Sequence, residues 1–272
     1  MKKHFGTILI VLILMTGLSL FLYPTVSNLR SESYNSQAVK QYADRVEQLQ
    51  SGGKTEALAQ AAAYNRELYR NSFNTEPSKV SASDYEYMLN ISGDGMMGYV
   101  EIPKIKCRLP VYHGTDAATL ESYVGHLPSS SLPVGGESTH CVLTGHTGMP
   151  NAKLLNDLDK LETEDTFTVT ALNTALTYEV DQVLVVQPDE TDALAIEPGK
   201  DLCTLVTCTP YGINTHRLLV RGHRVAQSAA DTSISQPDLV ERLYSDPIII
   251  ALAALLILLM ITYAVTRRNQ DE

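Results

Sequence analysis

Asp201-Leu-Cys-Thr-Leu-Val-Thr-Cys-Thr-Pro-Tyr-Gly-Ile-Asn-Thr-His-Arg217 decides how this chain is read. Its first half is apolar and rich in β-branched residues, which suits a buried strand ending at Cys208. Thr209 to Thr215, with Pro210, Gly212 and Asn214, has the composition of a turn. The chain re-enters a strand at Arg217, so the stretch predicts a hairpin with a thiol and a guanidinium at its mouth. A cation beside a cysteine lowers the thiol pKa and favours the nucleophilic thiolate. Successive strand residues alternate faces, so Cys203 and Cys208 point to opposite sides and cannot bridge each other.

Working outward, residues 96–225 carry short strand-like runs separated by turns. Strands are expected at 97–102, 108–112, 141–145, 166–170, 176–180, 183–187, 202–208 and 217–225. Helical pieces fit 117–123, 153–157 and 191–196. Many short strands with few helices predict a mainly β fold, a closed barrel of eight strands. Before it, 36–50 places Val39, Tyr42, Ala43, Val46 and Leu49 at helical spacing. Ser51-Gly-Gly53 breaks that helix, and a second begins at Thr55. Residues 71–95 turn polar and irregular, with Pro77 and several serines, and read as a loop.

Two uncharged stretches, 5–23 and 247–265, are long enough to cross a bilayer. Lys2 and Lys3 precede the first, and Arg267 and Arg268 follow the second. The positive-inside rule then puts both termini in the cytoplasm and the segment between them outside the cell. No small-x-small cleavage site follows the first stretch, so it reads as an uncleaved anchor rather than a signal peptide. The expected organisation is an anchor at 1–23, a helical extension at 24–95, the barrel at 96–226, a linker at 227–246 and a second transmembrane helix with its tail at 247–272.

A net charge of −10 over 272 residues argues against nucleic acid as a partner. The four cysteines, Cys107, Cys141, Cys203 and Cys208, fit no zinc spacing, and no metal or cofactor is expected. A nucleophilic cysteine needs a proton donor for its leaving group. Of seven histidines, His4 falls on the cytoplasmic side. His146 stands between two glycines at a strand end, in Leu143-Thr-Gly-His-Thr-Gly-Met-Pro150. Glycines there let the backbone approach a ligand closely. His140, His216 and His223 remain alternatives on spacing alone.

Thr-Leu-Val-Thr-Cys208 resembles the TLXTC signature of sortases, the cysteine transpeptidases of Gram-positive cell surfaces, and Thr144-Gly-His-Thr-Gly148 is similar to their TGHRG-type motif. The likeness extends over 93–225, through Met97-Gly-Tyr-Val-Glu-Ile-Pro-Lys-Ile105 and Leu109-Pro-Val-Tyr-His-Gly-Thr115. The segment from Thr209 to Gly222, the helical extension and the second apolar stretch resemble the pilin-polymerising class C. The resemblance implies a sortase-type barrel with Cys208 as nucleophile, His146 as general acid and base, and Arg217 as oxyanion or carbonyl ligand. Thr207, beside Cys208, is a candidate for substrate binding. It further implies a surface or pilin protein bearing an LPXTG-like sorting signal as substrate, and a pilin lysine amine as acceptor. Anchoring of proteins to peptidoglycan is the alternative reaction, and a non-catalytic surface scaffold the alternative class. Many class C members carry a lid with an Asp-Pro-aromatic motif; here Glu76-Pro-Ser78 has no aromatic after the proline.

Overall fold

A computed structural model describes residues 2–72, 82–149, 152–226 and Leu256. The chain divides into two compact units, 1–234 and 235–272, and apart from Leu256 the described residues all belong to the first.

Eight strands close a barrel in the order β1-β2-β3-β4-β7-β8-β6-β5. They are β1 (Met96–Ile102), β2 (Cys107–His113), β3 (Val124–His126), β4 (Thr139–Thr144), β5 (Thr166–Ala171), β6 (Thr174–Val186), β7 (Asp201–Thr209) and β8 (His216–Arg224). Two pairings are parallel, β2 with β3 and β4 with β7; the others are antiparallel. The alternate residues Val100, Leu143, Phe167, Val169, Leu205 and Val220 fill the interior and are almost fully buried. Closure removes every sheet edge that would otherwise invite pairing with another chain. At the β1–β5 seam the backbones come so close at Gly98 that a Cβ would collide with the carbonyl oxygen of Thr170. Gly98→Ala should therefore force the seam apart and cost about 3 kcal/mol, as overpacking does. Urea denaturation should show a lower midpoint at an unchanged slope.

The expected strands at 176–180 and 183–187 are one strand, β6, with a register shift between Val180 and Gln182. The bulge absorbs the polar Asp181-Gln182 without ending the strand. The three-residue β3 was not expected. Helix α4 (Ala117–Ser122) forms where a helix was predicted, capped by Asp116 Oδ1 accepting from Thr119 N at 3.1 Å. The predicted piece at 153–157 is a series of turns leading to a 3-10 turn at Leu158–Lys160. That at 191–196 is a 3-10 turn at Asp192–Leu194.

Helix α1 (Lys2–Gln48) runs without interruption through Pro24, and α2 (Ser51–Asn71) starts before Thr55. Val39, Tyr42 and Val46, three of the residues at helical spacing, are buried together with Ala61 and Tyr64 of α2. Tyr42 OH donates to Met97 O at 2.8 Å and accepts from Leu172 N at 3.0 Å. Asn65 of α2 exchanges two hydrogen bonds with the Leu132 backbone. The extension is thus a second packed layer on the barrel, fixed by buried polar contacts as well as by apolar area.

The expected loop at 71–95 contains a short helix, α3 (Ala82–Tyr87). Its Tyr85 is buried, accepting from Gly114 N at 3.0 Å and donating to His126 O at 3.1 Å. Residues 73–81, with Glu76-Pro77-Ser78, lie outside the described residues.

The expected membrane localisation is corrected, and the expected pair of membrane helices is not found. Among the described residues no helix is long and apolar enough to cross a membrane. A span needs about 20 consecutive apolar residues. Of the first apolar stretch, the side chains of residues 5–12 and 14 lie outside the described ones. The membrane localisation, with both termini cytoplasmic and the catalytic domain outside, does not stand. The second stretch, 247–265, lies outside the described residues apart from Leu256.

Candidate active site

Three neighbouring elements of the barrel, β4, β7 and β8, bring the predicted residues together. In the antiparallel β7–β8 ladder, Cys208 lies directly opposite Arg217. In the parallel β4–β7 ladder, Thr144 is level with Val206, and Gly145 N donates to Val206 O at 3.0 Å. Two residues beyond that pair, His146 and Cys208 stand on the two strand ends. The even positions of β4 and β7 share a face with the odd positions of β8, because side chains alternate along each strand. Cys208 and Arg217 therefore project from one outer face of the sheet, and His146 follows the neighbouring end of β4. All three are half-buried.

The β7–β8 turn is tight. Pro210 O accepts from Ile213 N at 3.0 Å and from Asn214 N at 2.9 Å. Gly212 and Asn214 take the positive φ values, 76° and 59°, that the turn demands. Arg217 Nη1 donates to His216 O at 3.1 Å and Asn214 O at 3.4 Å, so carbonyls of the turn fix the guanidinium. The same turn approaches the His146 loop: a Cβ on Gly148 would lie 3.8 Å from the Tyr211 ring.

The same outer face carries an apolar cluster of Val142, Val206 and Leu219, packed with Leu184, Val186 and Leu194. The β6–β7 connection, 187–200, covers it and is fastened by polar contacts. Arg221 donates from Nη1 to Glu197 at 2.8 Å and, through its other nitrogens, to Asp181 at 2.9 and 3.2 Å. The Lys200 ammonium bonded to Glu197, with Arg221 adding to it, holds that carboxyl below the usual carboxylate range. The cluster is buried and anchors the connection to the sheet two residues from Cys208.

The other cysteines are buried in the barrel. Burial pushes the Cys107 thiol up to about 12 and the Cys203 thiol well above its ordinary range. Both stay protonated near neutral pH, which makes them inert small hydrophobes. Cys141 is the cross-strand neighbour of Cys203. Cys208 is the one cysteine with access to solvent.

The competing histidines are engaged elsewhere. His140 is buried, with Nδ1 2.8 Å from Ala195 O and Nε2 2.7 Å from Thr204 Oγ1. Burial lowers its pKa, which keeps it neutral. His216 meets Gln187 Nε2 at 3.0 Å and Thr215 Oγ1 at 2.9 Å. His223, near the far end of β8, lies 3.9 Å from Asp181. Thr207 faces away from Cys208. It is only 4% exposed, and its hydroxyl donates to Gly145 O at 2.8 Å, so it ties the residue before His146 to β7 rather than facing a substrate.

No group of three or more metal-ligating side chains occurs among the described residues. The arrangement suits covalent acyl transfer: a nucleophile, a proton carrier and a fixed cation on one accessible face.

A sortase-domain family model matches residues 100–225. Sortase D of Bacillus subtilis is 33% identical over 131 residues, 47% of this chain and 63% of that protein. The chain thus spans less than two thirds of that relative's length. Among solved structures, sortase C1 from Streptococcus agalactiae is 45% identical with a TM-score of 0.66, covering 71% of this chain and all of that one. Sortase C from Clostridium perfringens, solved with a C-terminal cell wall sorting motif, is 39% identical with a TM-score of 0.63 over the same shares.

Proposed function

We propose, from the premise that this chain belongs to the sortase family, that it is a cysteine transpeptidase that joins the Thr of an LPXTG-like sorting signal to a pilin lysine. The observation that carries the reading is the register that sets Cys208 opposite Arg217 and puts His146, just past β4, at the same end of the sheet. The Cys208 thiolate attacks the threonine carbonyl carbon of the signal. Negative charge builds on the carbonyl oxygen, and Arg217 supplies fixed positive charge there. As the C–N bond breaks, His146 gives its proton to the departing glycine amine. A thioester on Cys208 remains. The acceptor amine loses a proton to His146 and attacks the thioester, and the thiol leaves.

A lysine amine supports the pilin reading for a chemical reason. With an unperturbed pKa near ~10.4, it is mostly protonated at neutral pH. Only an acceptor held beside a base, at high effective concentration, can outcompete water. The class C neighbours favour such an acceptor over a peptidoglycan amine. The protein incubated with a pilin bearing the signal, without wall precursor, should give ladders joined by Thr–Lys isopeptide bonds, mapped by mass spectrometry. Hydrolysis alone, with efficient transfer to a wall-precursor peptide, would assign it to anchoring instead. No thioester with any sorting-signal peptide would leave the scaffold reading.

A further inference from the structure

Sheet hydrogen bonding follows β4 only as far as Gly145, whose N–H reaches Val206 O. His146 itself stands past the ladder, at the start of a loop containing Gly148 at φ 79°. A loop of this kind needs another hold if its imidazole is to meet the thioester and the amine in one place. That hold comes from the turns at 152–158. Leu155 N donates to His146 O at 3.3 Å. Asn156 Oδ1 accepts two bonds from the loop, from Gly148 N at 2.8 Å and from Thr147 Oγ1 at 3.2 Å.

The turns that carry Asn156 are themselves rigid. Asn156 N donates to Lys153 O at 3.0 Å. Leu155 is fully buried, and a Cβ on Gly145 would lie 2.9 Å from its Cδ1. Cys107 Sγ donates to Leu154 O at 3.6 Å. Asp157 is gripped by Lys153 and Lys160, each at 2.7 Å.

We propose that Asn156 is a positioning residue for His146, a two-bond latch between the histidine loop and the 152–158 turns. The proposal rests on His146 being the acid–base group. Thr147 stands where the TGHRG-type motif has an arginine. Thr147 is 7% exposed, and its hydroxyl is turned inward to the latch. Both bonds end on one oxygen that only accepts. An aspartate preserves them, and a leucine of similar size leaves the Gly148 N–H without a partner.

Asn156→Leu, Asn156→Asp and Thr147→Val in the full chain test this. A shift of about 1 Å in an acid–base group costs up to roughly 10²-fold, so Asn156→Leu should lose ~10- to 100-fold in kcat. Its KM should stay within about two-fold, because the groups that bind the signal are untouched. Asn156→Asp should recover kcat to within about three-fold of the parent, and Thr147→Val, which keeps the Gly148 bond, should fall between the two. Amide exchange at Gly148 should be fast in Asn156→Leu and parent-like in Asn156→Asp. That readout needs no substrate, so it decides the latch even if the parent protein cleaves no sorting-signal peptide. The latter outcome would instead sink the proposed function. If Asn156→Leu does not fold, the other two variants carry the comparison. Parent-like kcat in Asn156→Leu, a loss confined to KM, an aspartate as impaired as leucine, or unchanged Gly148 exchange would each overturn the latch.

Discussion

Cys208→Ala eliminates the thioester with a sorting-signal peptide and lowers turnover by at least ~10⁴-fold, the scale on which loss of a covalent nucleophile acts. No other thiol can replace it. Cys107, Cys141 and Cys203 are buried, and Cys203, five positions back on the same strand, faces into the barrel. Each of these three changed to Ala should keep activity within a few-fold, with a core-truncation cost of about 1 kcal/mol. Intact-mass spectrometry of the enzyme–peptide adduct reads the result directly. An adduct that survives in Cys208→Ala, or vanishes in Cys203→Ala while that variant stays folded, would mean the nucleophile has been misassigned.

Arg217→Lys is expected to lose about 10²-fold or more in kcat/KM, most of it in kcat, as loss of an oxyanion donor does. Charge alone is not the issue, since lysine keeps it. Arg217 spends Nη1 on the carbonyls of His216 and Asn214, and it lies opposite Cys208 in the ladder. An ammonium on a flexible stem has no second nitrogen with which to hold that orientation and meet an oxyanion at once. Steady-state kinetics with a fluorogenic signal peptide would measure it. Activity within a few-fold of the parent would reduce Arg217 to a loop-holding residue.

Most of the barrel can be read from the sequence because its strands are amphipathic or fully apolar over five or more residues. Val100, Ile102, Leu205 and Val220 declare their strands by themselves. Val124-Gly-His126 does not. Three residues carry no periodicity, and β3 exists only because β2 and β4 both offer it a partner. Asp181 and Gln182 look like the end of a strand, yet β8 pairs on both sides of them and the chain bulges instead. Thr207 illustrates a rule available but not applied: next to an outward Cys208 it has to point inward, and it does. Asn156 offers no motif at all. Its importance arises from where Leu155 packs, a contact made across the fold.

The sequence by itself determined that Cys208 faces Arg217, because Thr-Leu-Val-Thr-Cys208, the following turn and Arg217 form one local hairpin whose register is set by the turn. It also marked His146, through the glycines on either side. What only the tertiary structure decided is which histidine lies at the Cys208 end of the sheet. That choice depends on the parallel pairing of β4 with β7, whose two strands are joined by a long crossover through β5 and β6. Parallel register is fixed by which faces become buried when the barrel closes, not by a turn. It brings His146 level with Cys208 and sends His140 under the β6–β7 connection. The closed barrel, and not the residues near His146 in the chain, completes the site.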